Sequence, residues 1–213
     1  MIAVNVDGWV LAGGRSQRMG RDKAGMELAG ISLLERMLGK LRKLGLEARV
    51  AGMREPVEGV AAEVVSDLHP NCGPLSGMES ALSRSERQLV MMLGVDLPLV
   101  ETGFLRWMLE RAQVSGAAAT IPRMLGQPQP LCAVYRRELR GGIERSLNSG
   151  DYKTMTAVES AAAGTVLDLF DVERAATLGA WDSPLPVHCQ FLNCNTRGEL
   201  AAAAALLART PML

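Results

Sequence analysis

The chain has 213 residues, in which 23 Lys and Arg balance 23 Asp and Glu, so its formal net charge is zero. Hydrophobic residues make up 48% and charged residues 22%, a balance that excludes a disordered chain and predicts one globular domain over residues 1–213. Neutrality and an aromatic content of 4% argue against a nucleic-acid-coating protein, because such binding needs unopposed cations or many stacking platforms.

Neither a targeting segment nor a membrane span is expected. Met1–Asp7 lack the cationic start and long apolar run of a signal peptide, and no stretch approaches the roughly 18 apolar residues of a spanning helix. The four cysteines form no C-x-x-C pair, which favours free thiols in a reducing compartment over a zinc site or disulfides. A cytoplasmic protein is predicted.

Short apolar runs alternate with helical patterns along the chain. Strands are predicted at Gly8–Leu11, Ala48–Ala51, Glu63–Val65, Gln88–Val95, Ala117–Ile121 and Leu131–Tyr135, and weaker ones at Thr165–Leu169 and Gln190–Asn193. Helices are predicted from Ser32 to a stop at Gly45, at Met78–Ser83, from a cap at Thr102, at Glu138–Leu147 and at Glu199–Ala208. This alternation predicts a mostly parallel sheet with helices on both faces and ligands beyond the carboxyl ends of its strands.

A basic, glycine-rich loop follows the first predicted strand. It reads LAGGRSQRMGRDKA, and its cations Arg15, Arg18, Arg21 and Lys23 outweigh one aspartate to give a local charge of +3. Ala12 and the two glycines after it let backbone N–H groups approach a ligand, and arginine contacts phosphate in bidentate fashion. Neither the Walker A pattern nor G-x-G-x-x-G fits the loop. A phosphate site of another type is predicted, the alternative being a solvated basic turn.

Two aspartates follow predicted strands and face the same expected crevice. Asp96 comes directly after the apolar run Gln88–Val95, and Asp67 follows Glu63–Val65. A carboxylate at the end of a buried strand suits Mg²⁺, which takes one or two carboxylates together with substrate phosphates. Taken alone, Asp96 before Leu97-Pro98 is as readily a turn residue. Together with the basic loop, the metal interpretation is favoured.

The loop resembles the LAGG-x-S-x-RMG-x-DKA signature of the molybdenum cofactor guanylyltransferases. The resemblance continues in the family's order through VSDLHPNCGPLSG, VDLPLV, QPL and FLNCNTRGEL, and so covers nearly the whole chain. It implies a three-layer, Rossmann-like α/β fold of the nucleotide-diphospho-sugar transferase type. It also implies Mg²⁺-dependent transfer of GMP from GTP to the phosphate of molybdenum-loaded molybdopterin. Proteins of cofactor insertion or delivery are further implied partners.

The resemblance also implies which residues hold the nucleotide. Leu11, Ala12 and Gly13 match the segment whose backbone holds the guanine nucleotide, and Asp67 matches an aspartate that contacts it. Many family members carry a guanine-contacting asparagine after the second strand, where this chain has Met53. That departure leaves the contact to the base open.

Catalytic and acceptor residues are implied in the same way. Arg18 and Lys23 match the basic residues that meet the triphosphate, and Asp96 matches the ligand of both nucleotide and Mg²⁺. Asn193 and Asn195 match two asparagines near the pterin, and their alternation on a predicted strand would put both side chains on one face. Asn195 could instead help to cap the final helix.

Two other functions stay open. A cytidylyltransferase or another small-molecule nucleotidyltransferase of the same fold is the first, although LAGG and GPLSG favour the guanine branch over the LAAG of the cytidylyltransferases. The second is a non-catalytic GTP-binding sensor or scaffold, against which the intact Lys23 and Asp96 argue.

Overall fold

The structure, a computed structural model, describes residues 5–13, 23–53 and 60–209. Its strands are β1 (Val6–Leu11), β2 (Glu27–Leu28), β3 (Ile31–Ser32), β4 (Ala48–Ala51), β5 (Val64–Val65), β6 (Leu89–Gly94), β7 (Ala119–Met124), β8 (Gln127–Pro128), β9 (Cys132–Arg136) and β10 (Leu167–Asp171). Within these residues an eight-stranded sheet has the order β10-β7-β9-β6-β1-β4-β5, with β8 paired to β7, and β2 and β3 form a separate hairpin.

Eight α-helices lie within the described ranges. They are α1 (Leu33–Lys43), α2 (Pro74–Arg84), α3 (Thr102–Ser115), α4 (Arg140–Asn148), α5 (Thr154–Ala161), α6 (Val172–Thr177), α7 (Val187–Gln190) and α8 (Arg197–Arg209). Lys23–Gly25 forms a single 3₁₀ turn ahead of the β2–β3 hairpin.

The sheet is buried on both faces, as a parallel sheet between helices must be. Alternation along β1 shows this: Val10 packs in the cluster formed by α1 and α3, whereas Trp9 and Leu11 pack with α2, α4 and α5. The strands β1, β4, β5 and β6 run parallel to one another. The predicted three-layer α/β fold with a mostly parallel sheet is therefore confirmed.

Two strands depart from parallel order: β9 pairs antiparallel with both β6 and β7, and the short β8 pairs antiparallel with β7. The chain reverses after β7 through Leu125 and Gly126, whose φ angles of 49° and 75° form a two-residue hairpin turn into β8. An apolar run predicts a strand here but does not predict its direction.

Several predicted boundaries need correction. Gln190–Asn193 is not a strand, because Gln190 ends α7 and residues 191–195 have no regular structure. The helix predicted at Met78–Ser83 begins at Pro74, a residue favoured in a first helical turn. Thr102 is the first residue of α3 rather than its cap, a position held by Glu101.

Because β1, β4, β5 and β6 are parallel, their carboxyl ends meet at one edge of the sheet. The residues that follow them are therefore neighbours, although they come from four parts of the chain. This edge is where the polar residues singled out by the sequence are expected to gather.

Lys40 on α1 carries a charge that the fold tolerates poorly. Burial, assisted by the neighbouring charges of Arg36 and Lys43, lowers the pKa of Lys40 from 10.5 to about 8, and the carboxylate of Glu101 only partly opposes this. Between pH 8 and 10.5 the unfolded chain therefore binds more protons at this site than the folded chain. The loss of unfolding free energy caused by Lys40 is greatest below pH 8, and it decreases as the pH rises towards 10.5.

We therefore expect Lys40→Met to raise the free energy of unfolding by about 2 kcal/mol at about pH 7. The gain should narrow as the pH rises from about 8 to about 10, as measured by urea denaturation. Lys153→Met, at an exposed position ahead of α5, is the control and should change stability little. A gain that does not depend on pH would contradict the assigned cause.

Candidate active site at the carboxyl edge of the sheet

Two loops cross in direct contact where β1 and β4 end. A Cβ atom at Gly13 would lie 2.9 Å from the Cα of Gly52, and one at Gly52 would lie 2.7 Å from the N and Cα of Gly13. Gly52 also has a φ of +92°, a conformation that favours glycine. Only two glycines permit this crossing, which holds the start of the basic loop against the β4 loop.

The backbone of Leu11 and Ala12 is already engaged at this crossing. Leu11 ends β1 with a buried side chain, and its carbonyl accepts a hydrogen bond from the N–H of Val95 at 3.1 Å. The N–H of Ala12 donates to the carbonyl of Ala51 at 2.9 Å. These bonds fix the direction in which the chain leaves β1, so Gly13 and the residues after it start from a defined position.

Three polar side chains that are far apart in sequence meet at the carboxyl end of β6, the strand paired with β1. The Lys23 Nζ donates to Asp96 Oδ2 at 3.1 Å and also to Asn195 Oδ1. The side chains of Lys23 and Asp96 are 14% and 23% exposed, so both are sheltered but still reachable from solvent. This ammonium–carboxylate–amide group, which we call the Lys23 cluster, is the chemical centre of the edge.

The end of β6 is built around the Asp96 carboxylate. A Cβ atom at Gly94 would lie 2.7 Å from Asp96 Oδ1, so the glycine leaves the space that the carboxylate occupies. The carbonyl of Asp96 accepts the N–H of Cys194 at 2.9 Å, which brings the carboxyl-terminal segment to this strand end.

Asp67 lies on the next loop with one unsatisfied oxygen. Its Oδ1 is buried, has no hydrogen-bond partner among the described residues, and would lie 3.4 Å from a Cβ at Gly52. The Ser80 hydroxyl holds this loop by accepting the N–H of Leu68 at 3.1 Å. Burial raises the pKa of the Asp67 carboxyl above its ordinary value. A buried acceptor of this kind is available to a ligand's N–H or O–H group.

The donor set suits one kind of metal. Among the described residues, no three His, Cys, Asp or Glu side chains lie close enough to hold an ion by themselves. Mg²⁺ needs no such cage, because it binds through one or two carboxylates, waters and the phosphates of its substrate. Asp96, sheltered at the end of β6, is a carboxylate of this type.

The remaining residues singled out by the sequence are not part of the Lys23 cluster. Asn193 is exposed, and Asn195, rather than Asn193, reaches Lys23. The predicted shared strand face does not exist, because this segment is irregular. Met53 is 6% exposed and packs in the α1–α3 cluster, so its side chain offers no contact to a base. Arg18, with the other arginines of the basic loop, lies outside the described residues.

Other residues of the edge were not identified from the sequence. Gly52 follows a predicted strand, but nothing local signals its contact with Gly13. Glu101 and Gln190, which exchange hydrogen bonds, are 89 positions apart.

Within the described chain, no helix is long and apolar enough to span a bilayer.

A family model and a curated relative both match this chain over most of its length. Residues 8–164 match the family model of the MobA-like NTP transferase domain. The molybdenum cofactor guanylyltransferase of Rhizobium meliloti (strain 1021) is 30% identical over 206 residues, which cover 93% of this chain and 90% of that protein.

Solved structures share the fold. Molybdopterin-guanine dinucleotide biosynthesis protein A from Archaeoglobus fulgidus is 23% identical, with a TM-score of 0.76 over 95% of this chain and 99% of that one. A 2-C-methyl-D-erythritol 4-phosphate cytidylyltransferase from Thermus thermophilus is 20% identical, with a TM-score of 0.65 over 94% and 98%. Because proteins named for different products share the fold, the fold alone does not select the base.

Proposed function

Because this chain belongs to the MobA-like NTP transferases and, among them, to the molybdenum cofactor guanylyltransferases, we propose that it transfers GMP from GTP to the phosphate of molybdenum-loaded molybdopterin. The observation that carries the proposal is the Lys23 cluster, which gathers an ammonium, a carboxylate and an amide at the carboxyl end of β6, the strand paired with β1. The family supplies the reaction, and the cluster supplies the groups that such a reaction needs.

In this reaction an oxygen of the pterin phosphate attacks the α-phosphorus of GTP, and the bond to the β-phosphate breaks to release pyrophosphate. Every reacting group is anionic, so positioning and neutralisation of charge dominate catalysis. The ammonium of Lys23 supplies a fixed positive charge that two acceptors hold in place. We assign it, together with Arg18 of the basic loop, to the β- and γ-phosphates and the leaving pyrophosphate.

We further propose that Asp96 holds Mg²⁺. When bound, Mg²⁺ neutralises phosphate oxygens and orients the triphosphate. Neither a covalent intermediate with the protein nor a general base is required, because the attacking phosphate oxygen is already ionised at neutral pH. The amide of Asn195 faces the same cluster and is assigned to the acceptor, with the exposed Asn193 beside it.

The nucleotide is assigned to the crossing loops. In the segment Leu11, Ala12 and Gly13, the Leu11 carbonyl and the Ala12 N–H bond within the fold, so the Ala12 carbonyl and the Gly13 backbone are assigned to the nucleotide. The unsatisfied Oδ1 of Asp67 is assigned as the acceptor of a hydrogen bond from the ribose or the base. Since Met53 is buried in the core, its side chain cannot replace the family's asparagine. Selection of guanine therefore falls to the backbone and Asp67.

Asp67→Asn should separate binding from stability. Because burial raises the pKa of this carboxyl, the ionised form destabilises the fold at neutral pH, and asparagine removes that cost. We expect a thermal midpoint that is unchanged or slightly higher at neutral pH, whereas the Kd for GTP should rise about tenfold or more. Calorimetric titration and thermal melts measure both quantities. A lower midpoint with an unchanged Kd would make Asp67 a structural residue.

The proposed activity is tested by pyrophosphate release with GTP, CTP or ATP in the presence of Mg²⁺, with and without the pterin acceptor. We expect release with GTP plus acceptor. Release with CTP in place of GTP would identify a cytidylyltransferase. Binding of GTP without any release in the presence of acceptor would identify a sensor or scaffold.

A cytoplasmic location and delivery proteins as partners complete the proposal. The four cysteines are free, three of them buried, which is the state that a reducing compartment maintains. A product bound for a molybdoenzyme requires a protein that accepts it. Co-purification of this chain with such an acceptor protein tests the partnership.

A further inference from the structure

A buried amide anchors the segment that carries Asn195. Gln190, which ends α7, is fully buried, and its side chain exchanges two hydrogen bonds with Glu101. The N–H of Glu101 donates to Gln190 Oε1 at 3.3 Å, and Gln190 Nε2 donates to Glu101 Oε2 at 3.0 Å. Glu101 lies five residues after Asp96, so the pair ties the metal-ligand loop to the carboxyl-terminal segment.

The same two side chains also fix the turn that precedes α7. Glu101 Oε1 accepts the N–H of Leu185 at 3.3 Å, and Gln190 Nε2 donates to the Ser183 hydroxyl at 3.0 Å. Glu101 occupies the N-cap position of α3 but makes no capping hydrogen bond with its side chain. Its carboxylate serves this tertiary contact instead.

Beyond the pair, the segment packs on α3 and then returns to the active edge. The ring of Phe191 lies edge-on to Phe104 of α3, with centroids 5.5 Å apart. Cys194 is fully buried and donates its N–H to the Asp96 carbonyl. Asn195 is exposed, so its position depends on these anchors and on Glu199, whose carboxylate accepts its N–H at 2.7 Å.

The anchored segment lies outside the part of the chain shared across the wider family, because the family match ends at residue 164. The nucleotide-side groups Gly13, Lys23, Asp67 and Asp96 all lie within that match. Asn195 is the one member of the Lys23 cluster that lies beyond it. Residues that position Asn195 are therefore expected to affect binding of the pterin acceptor rather than binding of the nucleotide.

We propose that Glu101 and Gln190 are positioning residues that seat Asn195 beside Lys23 and Asp96 and so govern use of the pterin acceptor. The inference rests on the proposed function. Loss of either partner leaves a buried polar group unpaired, which favours release of the segment. GTP binding is expected to change little, because Lys23 keeps its hydrogen bond to Asp96 at 3.1 Å when Asn195 is released.

The test compares Gln190→Leu with a swapped pair, Glu101→Gln with Gln190→Glu. Leucine removes the amide at similar volume, whereas the swap keeps an amide facing a carboxylate. For Gln190→Leu we expect the KM for the pterin to rise about tenfold and the Kd for GTP to stay within about twofold. The swapped protein should recover most of the lost acceptor affinity. Glu110→Gln, an exposed change on α3, is the matched control.

A second readout does not depend on catalysis. Hydrogen exchange at the Cys194 amide reports its bond to Asp96, and it should be faster in Gln190→Leu and close to wild type in the swapped protein. Unchanged exchange, or a GTP affinity that falls with the acceptor affinity, would overturn the positioning role. If the wild type transfers no GMP, the proposed function fails, and the exchange comparison still decides whether the pair anchors the segment. If Gln190→Leu does not fold, the swapped pair takes over the test, and failure to retain acceptor use would overturn the proposal.

Discussion

Asp96→Asn is expected to lower kcat for GMP transfer about 10³-fold or more. The substitution removes the negative charge of the carboxylate that is assigned to bind Mg²⁺ and that holds the Lys23 ammonium at 3.1 Å. Loss of charge stabilisation of this kind costs orders of magnitude in rate. The fold should survive, because the Asp96 side chain is partly exposed and its carbonyl still accepts the N–H of Cys194.

Single-turnover transfer rates at saturating GTP, measured across a Mg²⁺ titration, give this effect. Asp182→Asn changes an exposed carboxylate in the carboxyl-terminal segment and should leave kcat unchanged. A near-normal rate for Asp96→Asn with an unaltered Mg²⁺ dependence would show that another residue holds the metal.

Gly52→Ala should cause the largest loss of stability. The new methyl group would lie 2.7 Å from the backbone of Gly13, where no flexible side chain can move away, and the residue would be held at a φ of +92°. Overpacking and backbone strain together cost about 2–4 kcal/mol. The thermal midpoint should fall by roughly 5–15 °C. GTP affinity should fall as well, because relief of the clash displaces the start of the basic loop.

Gly150→Ala separates strain from collision. Gly150 has a φ of +80°, but nothing lies within 4 Å of the position its Cβ would take, so the change should cost only about 1 kcal/mol. Thermal melts and GTP titrations of the two variants measure the difference. Equal losses of stability in both would contradict the close contact of the two loops.

The central strands could be predicted because burial on both faces leaves a clear pattern. Predicted Gly8–Leu11 and Gln88–Val95 correspond to β1 and β6, which are buried at every position. Helix α1 was equally clear, since its apolar residues recur at helical spacing up to Gly45. Local sequence determines such elements, and their alternation suffices to predict the layered fold.

Predictions from local sequence were wrong or incomplete where contacts between distant residues determine the structure. The apolar residues of the 190–193 segment suggested a strand, yet Phe191 packs on α3 and Gln190 bonds to Glu101, so the segment has no strand partner within the described chain. The short helices α5 and α6 were missed because few of their residues are buried and their pattern is weak. The antiparallel direction of β9 depends on a two-residue turn without the usual Asn-Gly signal.

The candidate site shows the same division. Lys23 and Asp96 could be predicted from their motifs, and the structure brings them together, while their roles stay predictions. The contact of Asn195 with Lys23 joins residues 172 positions apart and has no local signature. The Gly13–Gly52 crossing is also invisible in the sequence, because each glycine alone indicates only a turn.

The central claim is that this chain moves a nucleotidyl group, breaking GTP between its α- and β-phosphates. Incubation with the pterin acceptor, Mg²⁺ and GTP labelled at either the α- or the γ-phosphorus tests it most directly. We expect the α label to appear in a pterin dinucleotide and the γ label in pyrophosphate. Release of the γ label as orthophosphate, or an α label that remains in free GMP, would contradict the claim.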